Sequence, residues 1–292
     1  MASNLIKTLR KGLSLLQSKR AYLCHLEPRL LRLLDADMAF LAANPDLFQP
    51  LTPLPIPAPG KGPLLVLGAH PDDETLGAGG SLLLARDKGL SITTAFLTDG
   101  RPSGRDSGGR EEGETRRAEA LAAGEILGAE VLFFKSPVRS LARDKGLARE
   151  AVRWLRDILI RIKPRTILCP FPLEAHSDHR LVAWALAEAL FGESLTGRAD
   201  EPIIWAYEVA SLCPANVVVE ITGVEEEKAS LIGVYGSQTA AFGYANVVRG
   251  LNRYHSRHLG GKGAAEAFLR IPAESFGRLV AGLSEEQLFK DE

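Results

Sequence analysis

Two short patches of histidine and aspartate each follow an apolar run in this sequence. The first patch, AHPDDE at residues 69–74, comes directly after Leu64–Gly68, and the second, HSDH at residues 176–179, follows Thr166–Pro170. A catalytic zinc ion commonly takes three histidine or carboxylate ligands and leaves one position for water. The two patches supply three such ligands, and at least one carboxylate and one imidazole remain for other roles. This combination is typical of a metal hydrolase.

The residue types suggest how the two patches divide the chemistry between them. His70, Asp73 and His179 would supply two imidazoles and one carboxylate to the metal. Asp72 is then free to act as general base on a bound water molecule. His176 is available to stabilise negative charge that develops on the substrate oxygen.

The aspartates also suit a simpler structural role. Asp72 and Asp73 precede a helix predicted to start near Thr75, and aspartate is a favoured helix N-cap. The nearby histidines favour a chemical role over capping alone, although the two roles are compatible. Asp178, inside the second patch, is expected to hold one of the imidazoles by a hydrogen bond from outside the ligand set.

Strand-like and helix-like segments alternate from Leu64 onward, and their order predicts how the patches meet. The strands are short and apolar throughout, as expected when helices cover both faces of a sheet. We predict an α/β fold with a Rossmann-like, mostly parallel sheet and helices on both faces. In a sheet of order 3-2-1-4-5, the strands before the two patches are neighbours at the switch point, where ligands bind.

The bulk composition is that of an ordinary globular protein and excludes several classes. The 292 residues are 46% hydrophobic and carry a net charge of −1, which indicates no nucleic-acid or anionic membrane partner. The three cysteines are widely spaced and form no disulfide framework, so we expect a reducing, cytoplasmic location. We expect neither a signal peptide nor a transmembrane segment, which would need about 20 apolar residues.

Residues 1–60 differ in pattern from the rest of the chain. Leucines recur there at three- and four-residue steps, and a proline-rich stretch follows. The pattern predicts a helical arm and a stiff connector at residues 1–60, and a catalytic domain at residues 61–292. Because a leucine stripe needs a partner surface, we expect the arm to mediate homo-oligomerisation or docking to another protein.

The ordered set of motifs resembles the PIG-L/LmbE-like zinc-dependent N-deacetylases. The motifs are AHPDDE at residues 69–74, TDG at 98–100, GETRRAEA at 113–120, HSDH at 176–179, YGSQ at 235–238 and AEAF at 265–268. The resemblance covers roughly residues 62–271. It departs from the family at Ser177, where a proline is common.

This resemblance implies a hydrolase that removes an acetyl group from an N-acetylated amino sugar, of the N-acetylglucosamine conjugate type. It implies one Zn²⁺ per chain, or another divalent ion, on His70, Asp73 and His179. It also assigns the base to Asp72 and assistance to the reaction intermediate to His176. Three further polar residues are candidates for supporting the site or contacting the substrate: Asp99, Arg116 and Glu119.

Two other functions stay open at this point. A metal-dependent esterase or phosphoesterase often uses two metal ions about 4 Å apart, whereas donors are evident for one. A non-catalytic metal-binding module that assembles through the arm is the other alternative. His255 and His258 repeat the spacing of the second patch, but no carboxylate is near them in the sequence. We therefore expect no second metal site there.

Overall fold

Eight strands form one open sheet in the computed structural model of this chain. The structure describes residues 54–56, 59, 62–101, 108–192, 201–240, 242–283 and 288–289. The strands are β1 (Leu54–Ile56), β2 (Leu64–Gly68), β3 (Ile92–Thr98), β4 (Ala129–Ser136), β5 (Thr166–Pro170), β6 (Ile203–Tyr207), β7 (Val217–Glu220) and β8 (Ala265–Pro272).

Helices separate most of these strands along the chain. They are α1 (Asp73–Asp87), α2 (Gly108–Leu127), α3 (Ser140–Arg143), α4 (Lys145–Ile162), α5 (Ser177–Gly192), α6 (Glu225–Gly233), α7 (Gly236–Thr239), α8 (Tyr244–His255) and α9 (Ala273–Ala281). Short 3-10 turns occupy Thr222–Val224 and Ser256–Leu259. Within the described part of the chain, no helix combines the length and apolar character that a membrane span requires.

The strand order is β1-β7-β8-β6-β5-β2-β3-β4. Neighbouring strands are parallel except at β8, which runs antiparallel to both β6 and β7. The block β4-β3-β2-β5-β6 has the predicted 3-2-1-4-5 order. Successive strands are added on one side of β2 and then on the other, so the switch point of the strand order lies between β2 and β5. The predicted α/β class and mostly parallel sheet are therefore confirmed.

Burial on both faces explains why the central strands are apolar throughout. Every residue of β2, β3 and β5 is buried. Along β2, Leu65 and Leu67 belong to a core that includes α4 and α5, whereas Leu64 and Val66 belong to one that includes α1 and α2. This two-residue alternation is the side-chain period of a strand, with an apolar layer on each side.

The structure extends the sheet beyond the strands that end in the two patches. Leu54–Ile56, which the sequence placed in the proline-rich connector, forms β1 and pairs in parallel with β7 at the sheet edge. Helix α2 begins at Gly108, ahead of the GETRRAEA motif at residues 113–120. The leucine-rich part of the predicted arm lies outside the described residues, so the division at residue 60 stays a prediction.

Candidate metal centre

Both histidine and aspartate patches lie at the carboxyl ends of adjacent strands. The first patch joins β2 to α1, and the second lies between β5 and the start of α5. Strands β2 and β5 pair in parallel, with Leu64 opposite Thr166 and Val66 opposite Leu168. Because parallel strands end at the same edge, residues separated by about a hundred positions in the sequence meet at the switch point.

Three imidazoles form the centre of this cluster. The ring centroids of His70, His176 and His179 lie 4.8 to 5.3 Å apart. One ring nitrogen from each residue lies within 4.8 Å of the other two. Imidazole nitrogen suits zinc and related divalent transition metals, so the donor set fits such an ion.

The carboxylate of Asp73 lies beside two of these imidazoles. Its Oδ1 is 3.2 Å from Nε2 of His179, and its Oδ2 is 3.9 Å from Nδ1 of His70. Oδ2 also accepts the backbone N–H groups of Ala69 and His70 at 2.7 and 2.9 Å. Burial acts to raise the pKa of Asp73, but the positive charges of His179 and His70 outweigh it and lower the pKa. Asp73 is therefore an anionic donor in a fixed position.

A second carboxylate orients His70 from the opposite side of its ring. Oδ2 of Asp178 lies 3.0 Å from Nε2 of His70 and accepts the backbone N–H of Arg139 at 2.8 Å. This leaves Nδ1 of His70 on the side of Asp73. The contact is the one expected for Asp178, because metal-bound histidines usually give their second ring N–H to a carboxylate.

Glu174 makes a comparable approach to His179, a contact that the sequence did not predict. Its Oε2 lies 3.6 Å from Nδ1 of His179, and its buried carboxylate accepts the backbone N–H groups of residues 209–211. Burial acts to lower the pKa of His179, but the charge of Asp73 and the contact with Glu174 raise it to about 10. The only sequence signal was a glutamate two residues before His176, which is too common a feature to be diagnostic.

Asp72 lies next to the cluster and has different partners. It occupies the N-cap position of α1, yet its side chain makes no capping hydrogen bond to the described residues. Its Oδ2 is 3.4 Å from the guanidinium of Arg116, which also donates to the Pro71 carbonyl at 3.1 Å. Burial, with the charge of Asp73, raises the pKa of Asp72, while Arg116 acts in the opposite direction. A raised carboxylate pKa suits a general base.

His176 is more exposed than the other two histidines. Its Nδ1 accepts the backbone N–H of Asp178 at 3.1 Å, which leaves Nε2 for another partner. Burial, with the positive charges of His70 and His179, lowers the pKa of His176 to about 4. Because Nδ1 is the acceptor, the neutral ring carries its proton on Nε2, which suits a donor to a substrate oxygen. A metal bound at Nε2 would require the other tautomer and the loss of this hydrogen bond.

The structure gives each of the remaining predicted residues a partner. Asp99 follows β3, and its Oδ2 lies 2.8 Å from Nε of Arg101. Glu119 accepts the backbone N–H and the hydroxyl of Ser237 at 2.7 and 2.6 Å. Arg116 contacts Asp72 and Glu119 contacts Ser237, so each of them bonds to a residue outside its own helix.

His255 has a partner that its sequence neighbours did not reveal. Its Nε2 lies 2.8 Å from Oε2 of Glu208, and both side chains are buried. A carboxylate therefore lies next to His255 in the folded chain, although none is near it in the sequence. Even so, His70, His176 and His179 are the only group among the described residues that brings enough donors together for an ion.

The chain is similar to several known proteins. The family model described as PIG-L: GlcNAc-PI de-N-acetylase matches residues 65–190. The chain is 31% identical over 195 residues to the probable N-acetyl-alpha-D-glucosaminyl L-malate deacetylase 2 of Bacillus cereus, a match that covers 61% of this chain and 84% of that protein. It is 27% identical over 199 residues to the 4-oxalmesaconate hydratase of Pseudomonas putida, which covers 62% and 75%.

The fold is also found in solved structures. The N,N'-diacetylchitobiose deacetylase from Pyrococcus horikoshii superposes with a TM-score of 0.64 at 24% identity, and the match covers 80% of this chain and 92% of that one. The segment matched by the family model contains both histidine and aspartate patches. These matches show that the chain belongs to the PIG-L family of N-deacetylases.

Proposed function

We propose that this protein is a zinc-dependent hydrolase that removes the acetyl group from an N-acetylated amino sugar conjugate. The observation that carries the proposal is the meeting of His70, Asp73 and His179 beside the buried carboxylate of Asp72. The family description and the name of the Bacillus cereus relative both concern N-acetylglucosamine derivatives, which supports this substrate class.

His70, Asp73 and His179 would hold the zinc ion, with Asp178 and Glu174 orienting the two imidazoles. Bound zinc would supply a Lewis acid that polarises the amide carbonyl and lowers the pKa of water. The anionic Asp73 and two imidazoles match the His/carboxylate donor sets of known catalytic zinc sites. His176 is the fourth donor within reach, so its role needs a separate test.

Asp72 moves the proton in the proposed reaction. It takes a proton from the attacking water as the water oxygen bonds to the amide carbon. It then delivers that proton to the sugar nitrogen as the carbon–nitrogen bond breaks, which releases acetate and a free amine. Arg116, 3.4 Å away, fixes the carboxylate and partly offsets the effect of burial on its pKa.

The substrate class can be tested by measuring acetate release. We expect the full chain, loaded with zinc, to release acetate from N-acetylglucosamine conjugates and not from N-acetyl peptides. A peptide substrate would favour an apolar groove and a free strand edge to hold its backbone. Acetate release from the peptides alone would overturn the substrate class and leave the metal assignment intact.

A second candidate is the hydration of an unsaturated carboxylic acid. The similarity to the Pseudomonas putida hydratase is the observation that favours it. A metal ion and a base can also catalyse the addition of water to a carbon–carbon double bond, so these side chains alone suit both reactions. Loss of the ultraviolet absorbance of a conjugated dicarboxylic acid, with no acetate from any acetylated sugar, would favour the hydratase.

Replacing His176 with alanine should separate its two available roles. As an oxyanion partner it acts mainly in the transition state, so kcat should fall by roughly 10²–10³-fold with little change in KM. Zinc content should stay at the wild-type value, because the proposed ligands are intact. His258→Ala, another partly buried histidine outside the site, is the matched control. Loss of zinc from His176→Ala would make His176 a ligand instead.

A further inference from the structure

The geometry points to Tyr235 and Glu74 as a positioning pair that holds the backbone of Asp72 in its active conformation. The inference rests on the proposed function, in which Asp72 is the general base. Neither residue is assigned to the metal or to the proton transfer. Their effect would pass through the main chain of Asp72.

Two hydrogen bonds in series connect Tyr235 to Asp72 through Glu74. The Tyr235 hydroxyl donates to Oε1 of Glu74, and Oε2 of Glu74 accepts the backbone N–H of Asp72 at 3.3 Å. Tyr235 and Glu74 are each only 1% exposed. Because water is excluded, a Glu74 carboxylate that lost the tyrosine hydroxyl would lack a replacement donor at that oxygen and would shift towards another.

The backbone of Asp72 needs this support because its conformation is unfavourable. Its φ angle is 130°, in a region that residues with a side chain rarely adopt. Such a conformation persists only where surrounding contacts over-determine it. The first turn of α1 holds the Asp72 carbonyl, which accepts the Thr75 hydroxyl at 2.8 Å and the N–H groups of Thr75 and Leu76 at 3.0 Å. Glu74 supplies the matching contact on the N–H side.

A separate part of the chain fixes the position of the tyrosine. Tyr235 lies directly before α7, and Ser237 in α7 is held to α2 by its two hydrogen bonds to Glu119. Helix α2 also carries Arg116, the partner of the Asp72 carboxylate. The pair therefore ties the main chain of Asp72 to the same framework that positions its side chain.

Loss of the tyrosine hydroxyl should therefore affect turnover more than substrate binding. Without it, Glu74 is free to move, and the Asp72 backbone can relax to an ordinary φ angle. The carboxylate would then turn away from Arg116 and from its place in the reaction. A misplacement of about 1 Å in a reacting group can cost about 10²-fold in rate.

The test is Tyr235→Phe in the full, zinc-loaded chain, with Tyr207→Phe as the matched control. Tyr207 is also fully buried, and its hydroxyl donates to the Leu67 carbonyl at 2.6 Å. Both variants lose one buried hydroxyl, so we expect comparable losses of thermal stability. Only Tyr235→Phe should lower kcat, by roughly 10- to 100-fold, with KM and zinc content unchanged. An equal effect of both variants on kcat, or a change in KM alone, would overturn the proposal.

A structural measurement keeps this test independent of the substrate. In a crystal structure of Tyr235→Phe, the φ angle of Asp72 should leave the positive region and its distance to Arg116 should increase. Glu74→Leu, which removes both acceptor oxygens, should produce the same displacement and serves if Tyr235→Phe does not fold. An unchanged Asp72 backbone in these variants would overturn the proposed role of Tyr235 and Glu74. If the wild-type protein released no acetate from any acetylated sugar, the proposed function would be wrong. The crystal structures would still show whether Tyr235 and Glu74 hold the backbone of Asp72.

Discussion

Replacing Asp72 with asparagine should lower kcat by roughly 10²–10⁴-fold, the usual effect of removing a general base. The amide matches the carboxylate in size but cannot accept the proton of the attacking water. Zinc content should not change, because His70, Asp73 and His179 are intact. Acetate release measured with equal zinc loading checks the result. Asp87→Asn, at the far end of the same helix, makes the same chemical change outside the site and should leave kcat unaltered.

The pH profile gives a second check on the same residue. A base acts only when it is ionised, and burial raises the pKa of Asp72 above its usual value of about 3.9. Activity of the wild-type protein should therefore rise with pH through that raised pKa. In Asp72→Asn, the residual activity should lack this acidic limb. Loss of a general base should cost far more than a factor of about three in kcat. If Asp72→Asn kept kcat within about threefold of the wild-type value and kept the same acidic limb, the base would have to be another residue.

Replacing His179 with alanine should remove both the metal and the activity. His179 lies 3.2 Å from Asp73 and contributes one of the three proposed ligands. Loss of a residue that only orients a metal ligand typically lowers metal affinity by about 10- to 100-fold, and we expect a larger fall in His179→Ala. Elemental analysis after gel filtration should find about one zinc ion per wild-type chain, the stoichiometry of a three-ligand catalytic site, and almost none in the variant.

Glu174→Gln provides a graded comparison with that result. Glu174 approaches the other ring nitrogen of His179, so its loss should weaken metal binding by only about 10- to 100-fold. Full metal retention in His179→Ala would contradict the ligand assignment. About two metal ions per wild-type chain would instead favour the esterase or phosphoesterase alternative, which commonly uses a pair of ions.

The sequence determined much of the fold around the site. Apolar runs that ended in polar patches predicted parallel strands buried on both faces, and the observed β2–β5 pairing brings the patches together. This inference succeeds because the period of side-chain burial and the short strand–helix connections are local properties of the chain. The same reasoning predicted that His70 and His179 would lie close together.

Contacts that depend on distant partners could not be predicted in this way. Glu74 and Tyr235 are 161 positions apart, and His255 meets Glu208 from 47 positions away. A buried polar group needs a partner because water is excluded, but the sequence does not say which of many candidates will be near. Strand β1 also depends on tertiary structure, since three residues in a proline-rich segment pair only because β7 offers a free edge.

The sequence by itself therefore determined which residue types could perform the chemistry and which strand ends would carry them. The tertiary structure alone decided which carboxylate orients each imidazole and how the Asp72 backbone is held. The physical reason is that strand and helix patterns arise from neighbours along the chain. Hydrogen bonds in a dry interior are selected by the packing of all the elements together.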